Sequence, residues 1–332
     1  MARNATNKLL QKAKKLKSDE FYTQFSDIAS ELQYYKEHFK GKVVYCNCDD
    51  PRNSNFFNYF VQNFKELGLK KLITACYKEQ TNDLFDTKEN EDAFFYEYSG
   101  TENEGLNQAN FVYFKGDGDF RSQESIELLK QADIVVTNPP FSLFREYVAQ
   151  LMKYGKKFLI IGNINAITYK EIFKLIKENK VWLGINLGRG ISGFIVPDHY
   201  ELYGTEARID DAGNRIISPN NCLWLTNLET SQRHKDIVLT KKYAGNETEY
   251  PRYDNYDGIN VNKTQDIPYD YAGYMGVPIT FLHKFNPDQF EIIKFRKGND
   301  GKDLSINGKC PYFRILIKNR KVQKADALVV HL

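Results

Sequence analysis

The sequence predicts an α/β fold built on a doubly wound, mostly parallel sheet, followed by a smaller second region. Short apolar runs without helical period alternate with segments of helical period, which is typical of parallel strands joined by right-handed helical crossovers. At 332 residues the chain is long enough for one large domain and an appended smaller one. Beyond Asn227 the composition shifts towards tyrosine, asparagine and aspartate, so we predict that the second region begins there.

Each predicted element follows from a local pattern. The polar and acidic stretch from Thr81 to Gln108 has little period and is predicted to be an exposed insertion. Helices are predicted at 32–39, where Gly41 ends the helix, and at 125–131, 143–153 and 168–179. Strands are predicted at 43–46, 71–76, 111–114, 133–137, 157–161, 181–184, 222–226 and, in the second region, 313–318.

The strand at 133–137 leads directly into the tetrad Asn138-Pro139-Pro140-Phe141. Pro139 has no N–H and a fixed φ, and Asn138 precedes a proline, so neither residue continues easily into a helix. The backbone is therefore expected to be extended and stiff at the carboxyl end of a buried strand.

A stiff tetrad of this composition suits transfer of a methyl group to an exocyclic amine of a base. Such a nitrogen is a poor nucleophile because its lone pair is delocalised into the ring. The Asn138 side-chain oxygen and the Pro139 carbonyl would hold its two hydrogens and favour a localised lone pair, and Phe141 would stack on the base. The alternative is an ordinary strand-to-loop turn, since these residue types are common in turns.

The tetrad also resembles the signature of adenine-N6 DNA methyltransferases, and the chain to about Lys324 resembles the EcoRI family of modification methylases. The matching passages lie at 18–24, 43–51, 116–121, 138–141, 187–190 and 275–280. The resemblance implies the S-adenosylmethionine-dependent methyltransferase fold, a seven-stranded sheet with an antiparallel last strand. It also implies methylation of adenine N6 in double-stranded DNA by base flipping.

The same resemblance implies the inner adenine of GAATTC as the target and a monomeric enzyme. It implies functional pairing with a cognate restriction endonuclease, without a stable complex between the two. A few changes among the residues that read bases would alter the hexanucleotide.

The resemblance also implies a set of residues around S-adenosylmethionine. The turn after the first strand holds no glycine, unlike many cofactor-binding folds, and its aspartates are equally suited to cap the next helix. The Gly116–Phe120 loop has a two-aspartate calcium loop as its alternative, but no further oxygen ligands follow at EF-hand spacing. The expected cofactor-binding residues are Tyr22, Thr23, Asp49, Asp50, Pro51, Asp119, Phe120 and Asn138.

DNA contacts are expected from basic side chains in four places. The first seventeen residues carry no acid and have leucines at helical spacing, which predicts a basic arm along DNA phosphates, or else a solvated terminus. Removing the arm is expected to flatten the salt dependence of DNA binding. The insertion at 187–221, the helix after the tetrad and the second region supply the others. The expected DNA-binding residues are Lys8, Lys12, Lys14, Lys15, Arg145, Arg189, Lys241 and Lys242.

Composition indicates the cellular compartment in which the protein is expected and argues against some classes of protein. Five cysteines without zinc-knuckle spacing predict reduced, buried thiols in a cytoplasmic protein and no metal site. No long uncharged apolar segment or secretory signal is present, so no membrane association is expected. A net charge of +3 does not by itself indicate a nucleic-acid binder, so the distribution of charge matters more than its sum.

These observations predict four segments. They are a basic arm at 1–20, a methyltransferase domain at 21–228, a target-recognition region at 229–324 and a tail of unknown role at 325–332. Two other functions fit the same residues. One is an RNA or protein-glutamine methyltransferase with the same amide-holding turn, and the other is a catalytically silent DNA-binding relative, supported by the missing glycine loop.

Overall fold

The computed structural model describes residues 22–77, 92–100, 106, 110–186, 191–198, 201–202, 204, 207–218, 221–296, 304–310 and 313–323. The chain forms two compact units. The first comprises the residues up to Ala166 and Asn186–Leu228, and the second comprises Ile167–Ile185 and the residues from Glu229 onwards. Residues 167–185, predicted within the methyltransferase domain, therefore belong to the second unit.

The elements alternate as α/β periodicity predicts, with short 3₁₀ turns between them. The strands are β1 (Tyr22–Thr23), β2 (Val43–Cys46), β3 (Lys71–Cys76), β4 (Phe94–Tyr98), β5 (Val112–Tyr113), β6 (Ile134–Thr137), β7 (Lys157–Asn163), β8 (Trp182–Leu183), β9 (Phe194–Val196), β10 (Arg208–Ile209), β11 (Arg215–Ile217), β12 (Cys222–Thr226), β13 (Gly258–Asn260), β14 (Tyr274–Pro278), β15 (Phe290–Arg296) and β16 (Arg314–Asn319). The α-helices are α1 (Phe25–Leu32), α2 (Asn55–Gln62), α3 (Phe64–Leu67), α4 (Gln123–Gln131), α5 (Phe144–Lys153) and α6 (Lys170–Lys177). The 3₁₀ helices are Gln33–Phe39, Phe141–Leu143, Ile164–Thr168, Ser231–His234, Glu247–Glu249, Thr264–Asp266 and Ile279–Lys284.

The large sheet of the first unit has parallel strands only at its centre. Within this unit its strands run in the order β5-β4-β3-β2-β6-β7-β12. The neighbours β3, β2, β6 and β7 are parallel, whereas β4, β5 and β12 pair antiparallel with their neighbours. The α/β class is confirmed, but the expectation of a mostly parallel sheet is wrong for the β4–β5 side.

The strand β4 lies inside the stretch that was predicted to be an exposed insertion. Phe94 and Tyr96 alternate with less buried residues and are 2% and 1% exposed. The Phe94 ring stacks on Phe111 at 4.2 Å between centroids. The prediction is therefore wrong for this segment, because a five-residue strand with a two-residue period was obscured by the polar residues around it.

The strand order of the large sheet changes direction at β2. The strand β2 lies between β3 and β6, and β6 is followed in the sheet by β7. All residues of β2 and β6 are buried, as expected for central parallel strands covered on both faces. The carboxyl ends of β2 and β6 therefore meet at a topological switch point, the usual place for ligands in open α/β sheets.

The helix α5 covers this region by inserting an aromatic ring against a glycine. Phe144 is 2% exposed, and a Cβ atom on Gly162 of β7 would lie 2.5 Å from its ring. We expect Gly162→Ala to lower the free energy of unfolding by about 1–3 kcal/mol because the ring has no room to move. Urea denaturation measures this change. Gly116→Ala is the matched control, since the nearest atom to its Cβ would be 3.5 Å away, and equal destabilisation in both variants would contradict the packing argument.

A second, smaller sheet of the first unit joins the N-terminal strand to the insertion. Its strand order is β1-β9-β11-β10, with antiparallel pairing at β1–β9, β9–β11 and β10–β11. The carboxylate of Asp27 on α1 accepts the backbone N–H of Ser192 at 2.8 Å. The helix predicted at 32–39 is the 3₁₀ helix Gln33–Phe39, and the α-helix precedes it.

The second unit is organised around its own sheet. The strand order is β13-β14-β16-β15, with β13 and β14 parallel and the other pairs antiparallel. Phe173 of α6 contacts Phe295 of β15 at 5.2 Å between ring centroids. This apolar contact packs α6 against the sheet of the second unit, a placement that no local pattern indicated.

The cysteines and the helices bear on the expected compartment. All five cysteines are free, and Cys46 and Cys222 are buried. Cys310 is exposed, so the expectation of buried thiols is wrong at this position. In the described part of the chain, no helix combines the length and the apolar character needed to cross a membrane.

Candidate active site

Two loops that the sequence singled out lie side by side in the first unit. Val44 and Tyr45 of β2 pair in parallel with Ile134 and Val135 of β6. The turn that begins at Asn47 and the tetrad therefore leave the same edge of the sheet from neighbouring strands. The fold brings them together although about ninety residues separate them in the chain.

Asp49 links three strands and a helix at this edge. Its backbone N–H donates to the Ala75 carbonyl at 3.0 Å, and its own carbonyl accepts the Thr74 hydroxyl at 2.6 Å. Its carboxylate accepts the Ser54 hydroxyl at 2.9 Å and, in a short hydrogen bond, the Thr137 hydroxyl. Burial raises the pKa of Asp49 to about 6, although both hydroxyl hydrogen bonds favour the ionised form.

In the turn after Asp49, backbone N–H groups donate hydrogen bonds to acceptors within the turn itself. The Asp50 side chain accepts the Arg52 N–H at 2.9 Å, and the Asp50 carbonyl accepts the N–H groups of Asn53 and Ser54 at 3.1 and 2.7 Å. The Ser54 hydroxyl in turn accepts the Phe56 N–H at 3.1 Å and caps α2. The cap of this helix is therefore a serine, and the two aspartates considered for that role form other contacts.

Two aspartates at the site are each clamped by the arginine two residues later. The Arg52 Nη2 atom lies 2.6 Å from Asp50 Oδ2, and the Arg121 Nη2 atom lies 2.6 Å from Asp119 Oδ2. In both pairs the Nε atom donates to Oδ1 as well. The hydrogen bonds from Arg121 lower the pKa of Asp119 despite its partial burial, so this carboxylate is an ionised acceptor.

The loop that carries Asp119 is attached to the turn after β2 through α5. The Tyr147 hydroxyl donates a short hydrogen bond to the Asn47 side-chain oxygen, and its ring meets Phe120 edge-on at 5.1 Å between centroids. Gln150 donates to the Phe120 carbonyl at 2.9 Å. Burial raises the pKa of Tyr147, so its hydroxyl remains a neutral donor. The helix after the tetrad thus positions the Asp119–Phe120 pair.

The strand β1 brings Tyr22 and Thr23 to the same region. Thr23 pairs with Phe194 of β9, and its carbonyl accepts the Asn55 side-chain amide of α2 at 2.8 Å. Thr23 is 3% exposed. Its Oγ1 atom has no hydrogen-bond partner among the residues that the structure describes, although a buried hydroxyl normally has one.

The tetrad packs against neighbouring residues, but part of it remains accessible to solvent. Pro139 is buried, while Asn138, Pro140 and Phe141 are half-buried, and the Asn138 side-chain oxygen is shielded from solvent. The Phe141 ring lies 6.3 Å from the ring of Phe194, the partner of Thr23 in the small sheet. The expected catalytic and cofactor-binding residues therefore form one connected group in the first unit.

The residues that join these segments were not predicted. Each is a short polar or aromatic side chain whose importance depends on a partner distant in sequence. Only Ser54 carried a local signal, because a serine before an apolar helical run is a typical N-cap. The unpredicted residues are Asn47, Ser54, Thr137, Tyr147 and Phe194.

The expected DNA-binding residues are placed only in part. Arg145 is exposed in the first turn of α5, directly after the tetrad. Lys241 and Lys242 lie in the second unit, where the Lys241 carbonyl accepts the Tyr269 N–H at 3.0 Å. The remaining expected residues lie outside the described ranges, and they are Lys8, Lys12, Lys14, Lys15 and Arg189.

Comparison with known proteins identifies relatives along almost the whole chain. Residues 9–320 match the family described as adenine-specific methyltransferase EcoRI. The chain is 72% identical over 326 residues to the type II methyltransferase M.EcoRI of Escherichia coli, which covers 98% of this chain and 100% of the relative. No solved structure matches the chain.

Two more distant relatives come from mycoplasmas. The chain is 39% identical to the type II methyltransferase M.MpnI of Mycoplasma pneumoniae, over 93% of this chain and 98% of the relative. It is 37% identical to the type II methyltransferase M.MgeORF184P of Mycoplasma genitalium, over 94% and 98%. Matches of this extent and identity show that the chain belongs to the EcoRI family of adenine-specific methyltransferases.

Proposed function

We propose that this adenine-specific methyltransferase transfers a methyl group from S-adenosylmethionine to N6 of an adenine in double-stranded DNA. The observation that carries the proposal is the position of Asn138, half-buried in the tetrad at the carboxyl end of β6, next to the strand β2 whose turn carries expected cofactor-binding residues. An amine inside a duplex cannot reach such a position while it is stacked. The adenine must therefore be extruded, at a cost of a few kcal/mol.

The residues present fit S-adenosylmethionine. The buried Thr23 hydroxyl has no partner among the described residues and would donate to a bound ligand. The carboxylates of Asp50 and Asp119 would accept amino hydrogens of the cofactor, with Arg52 and Arg121 holding them in orientation. Tyr22, Pro51 and Phe120 would line the pocket with apolar surface. The cofactor supplies an electrophilic methyl group on a sulfonium.

The residues of the tetrad would prepare the target amine without a strong base. The Asn138 side-chain oxygen and the Pro139 carbonyl accept one N6 hydrogen each, so the nitrogen lone pair turns away from the ring. Because the prolines fix these acceptors, they stabilise the positive charge that develops on nitrogen without reorganising. Phe141 covers one face of the extruded base. After transfer, the N6 hydrogen held by Asn138 leaves as a proton to solvent, because an amide oxygen is too weak a base to keep it.

We further propose the inner adenine of GAATTC as the target, methylated by a monomer one strand at a time. Family resemblance and the 72% identity to a methyltransferase named M.EcoRI support this sequence. In a cell with a cognate restriction endonuclease, the modification would protect the DNA from cleavage without a stable complex between the two enzymes.

The test incubates the purified protein with radiolabelled S-adenosylmethionine and duplex DNA. We expect label at N6 of adenine and protection of GAATTC sites from cleavage. A duplex with N6-methyladenine already at both inner positions is the control and should accept no label. Label in structured RNA or in protein glutamine would favour those methyltransferase classes, and absence of saturable cofactor binding would indicate a silent DNA-binding relative.

A further inference from the structure

Asp49 has a place in the site that differs from that of the other two aspartates. Asp50 and Asp119 each face an arginine, whereas the Asp49 carboxylate accepts hydroxyl groups from Ser54 and Thr137. Asp49 is 9% exposed, so its carboxylate oxygens form their hydrogen bonds mainly within the protein. We therefore do not expect direct contact with a ligand to be the main role of this carboxylate.

The two hydroxyl groups belong to elements that must be aligned with each other. Ser54 caps α2 and closes the turn after β2, where the cofactor is expected. Thr137 is the last residue of β6 and directly precedes Asn138. Thr137 and Asp49 are 88 positions apart in the chain, so their hydrogen bond fixes the catalytic strand against the turn.

We propose that Asp49 is a positioning residue for methyl transfer, whose carboxylate holds the Thr137 and Ser54 hydroxyl groups and thereby sets the position of the Asn138 amide against the turn after β2. The inference rests on the proposed role of Asn138. It assigns to Asp49 a task other than direct cofactor contact. A displacement of about 1 Å in such a constellation is enough to cost roughly 100-fold in rate.

The charge state of Asp49 offers a readout of this role. The ionised carboxylate accepts two hydroxyl hydrogens, whereas the protonated group must donate one of its own. The groups that face it are Asp50, which raises its pKa, and the Cys46, Cys48 and Tyr147 groups, whose own pKa values are raised by burial so that they stay neutral. Methyl transfer should therefore decline as the pH falls through about 6.

Thr137→Val removes one of the two hydroxyl donors and preserves the side-chain shape. We expect kcat to fall by roughly 10- to 100-fold, with KM for cofactor and for DNA changed less than about threefold. Because the lost hydrogen bond favoured the ionised carboxylate, the pKa of Asp49 should rise, and the acid limb of the kcat profile should move to higher pH.

Thr226→Val is the matched control. Thr226 is also fully buried on the large sheet, but its hydroxyl donates to the Phe158 carbonyl at 2.7 Å and not to Asp49. We expect this variant to lose stability while it keeps the wild-type kcat and acid limb. Equal effects of the two substitutions on kcat, or an unchanged acid limb in Thr137→Val, would overturn the proposal.

A second measurement does not depend on the substrate. The pH dependence of unfolding without cofactor should differ between wild type and Thr137→Val across the titration of Asp49, and Thr226→Val should follow the wild-type dependence. Parallel profiles for all three proteins would overturn the link between Thr137 and Asp49. Failure to label DNA would instead refute the proposed function, so the two failures are distinguishable.

Discussion

Replacement of Asn138 by alanine is expected to lower kcat for adenine methylation by roughly 100- to 1,000-fold, the usual effect of removing one fixed group that stabilises developing charge. The substitution removes one of two acceptors for the amine hydrogens and leaves the proline-stiffened backbone in place. Folding and DNA binding should change little, because the neighbouring prolines still fix the backbone at this position. Single-turnover kinetics with saturating cofactor and DNA measure the chemical step directly.

Asn163→Ala is the matched control for that experiment. Asn163 ends β7, the parallel neighbour of β6, and its side-chain oxygen accepts the Asn165 N–H at 2.9 Å. We expect the control to keep kcat within a few-fold of wild type. Wild-type turnover in Asn138→Ala would remove the tetrad from the chemistry, and a collapse of both variants would indicate damage to the sheet edge instead.

Asp49→Asn is expected to raise the free energy of unfolding at pH 8 by about 1–3 kcal/mol while it slows methyl transfer. Burial raises the pKa of Asp49 from 3.8 to about 6, so the folded state binds its proton more tightly than the unfolded state. The stability from this proton is fully present below pH 3.8 and is lost as the pH rises through about 6. Two pKa units correspond to about 3 kcal/mol, which is an upper bound.

Chemical denaturation at pH 4, 6 and 8 tests this expectation. The difference between Asp49→Asn and wild type should be smallest at pH 4 and should grow towards pH 8. A constant difference at all three values would mean that Asp49 titrates alike in the folded and unfolded states. Asp49→Asn is thus expected to be more stable than wild type but slower in methyl transfer. This combination is typical of a residue that is kept for function although it destabilises the fold.

The sequence was informative where a function depends on consecutive residues. The tetrad was located because an apolar strand runs directly into two prolines and an aromatic residue. The α/β class followed from periodicity, and the antiparallel pairing of the late strand β12 agrees with the implied topology. The segments at 22–23, 49–51 and 119–120 were predicted through family resemblance. They lie in the first unit with the tetrad, and their role in cofactor binding stays a prediction.

Features that depend on distant partners were not accessible from the sequence. The Thr137–Asp49 and Tyr147–Asn47 hydrogen bonds join residues 88 and 100 positions apart, and no spacing rule indicates such pairs. The strand β4 was hidden within a polar stretch, because a five-residue strand gives a weak signal. The placement of α6 in the second unit likewise involves contacts, such as that of Phe173 with Phe295, that form only in the folded chain.

The self-contained turn at 50–54 has a consequence for evolution and engineering. Glycine-rich nucleotide loops hold their ligand through main-chain amides, which every substitution except proline leaves in the chain. Here the N–H groups of Arg52, Asn53 and Ser54 donate to Asp50, so a ligand at the proposed cofactor site would be recognised by side chains. At the S-adenosylmethionine site proposed above, single side-chain substitutions should therefore be enough to change which sulfonium analogues the enzyme accepts.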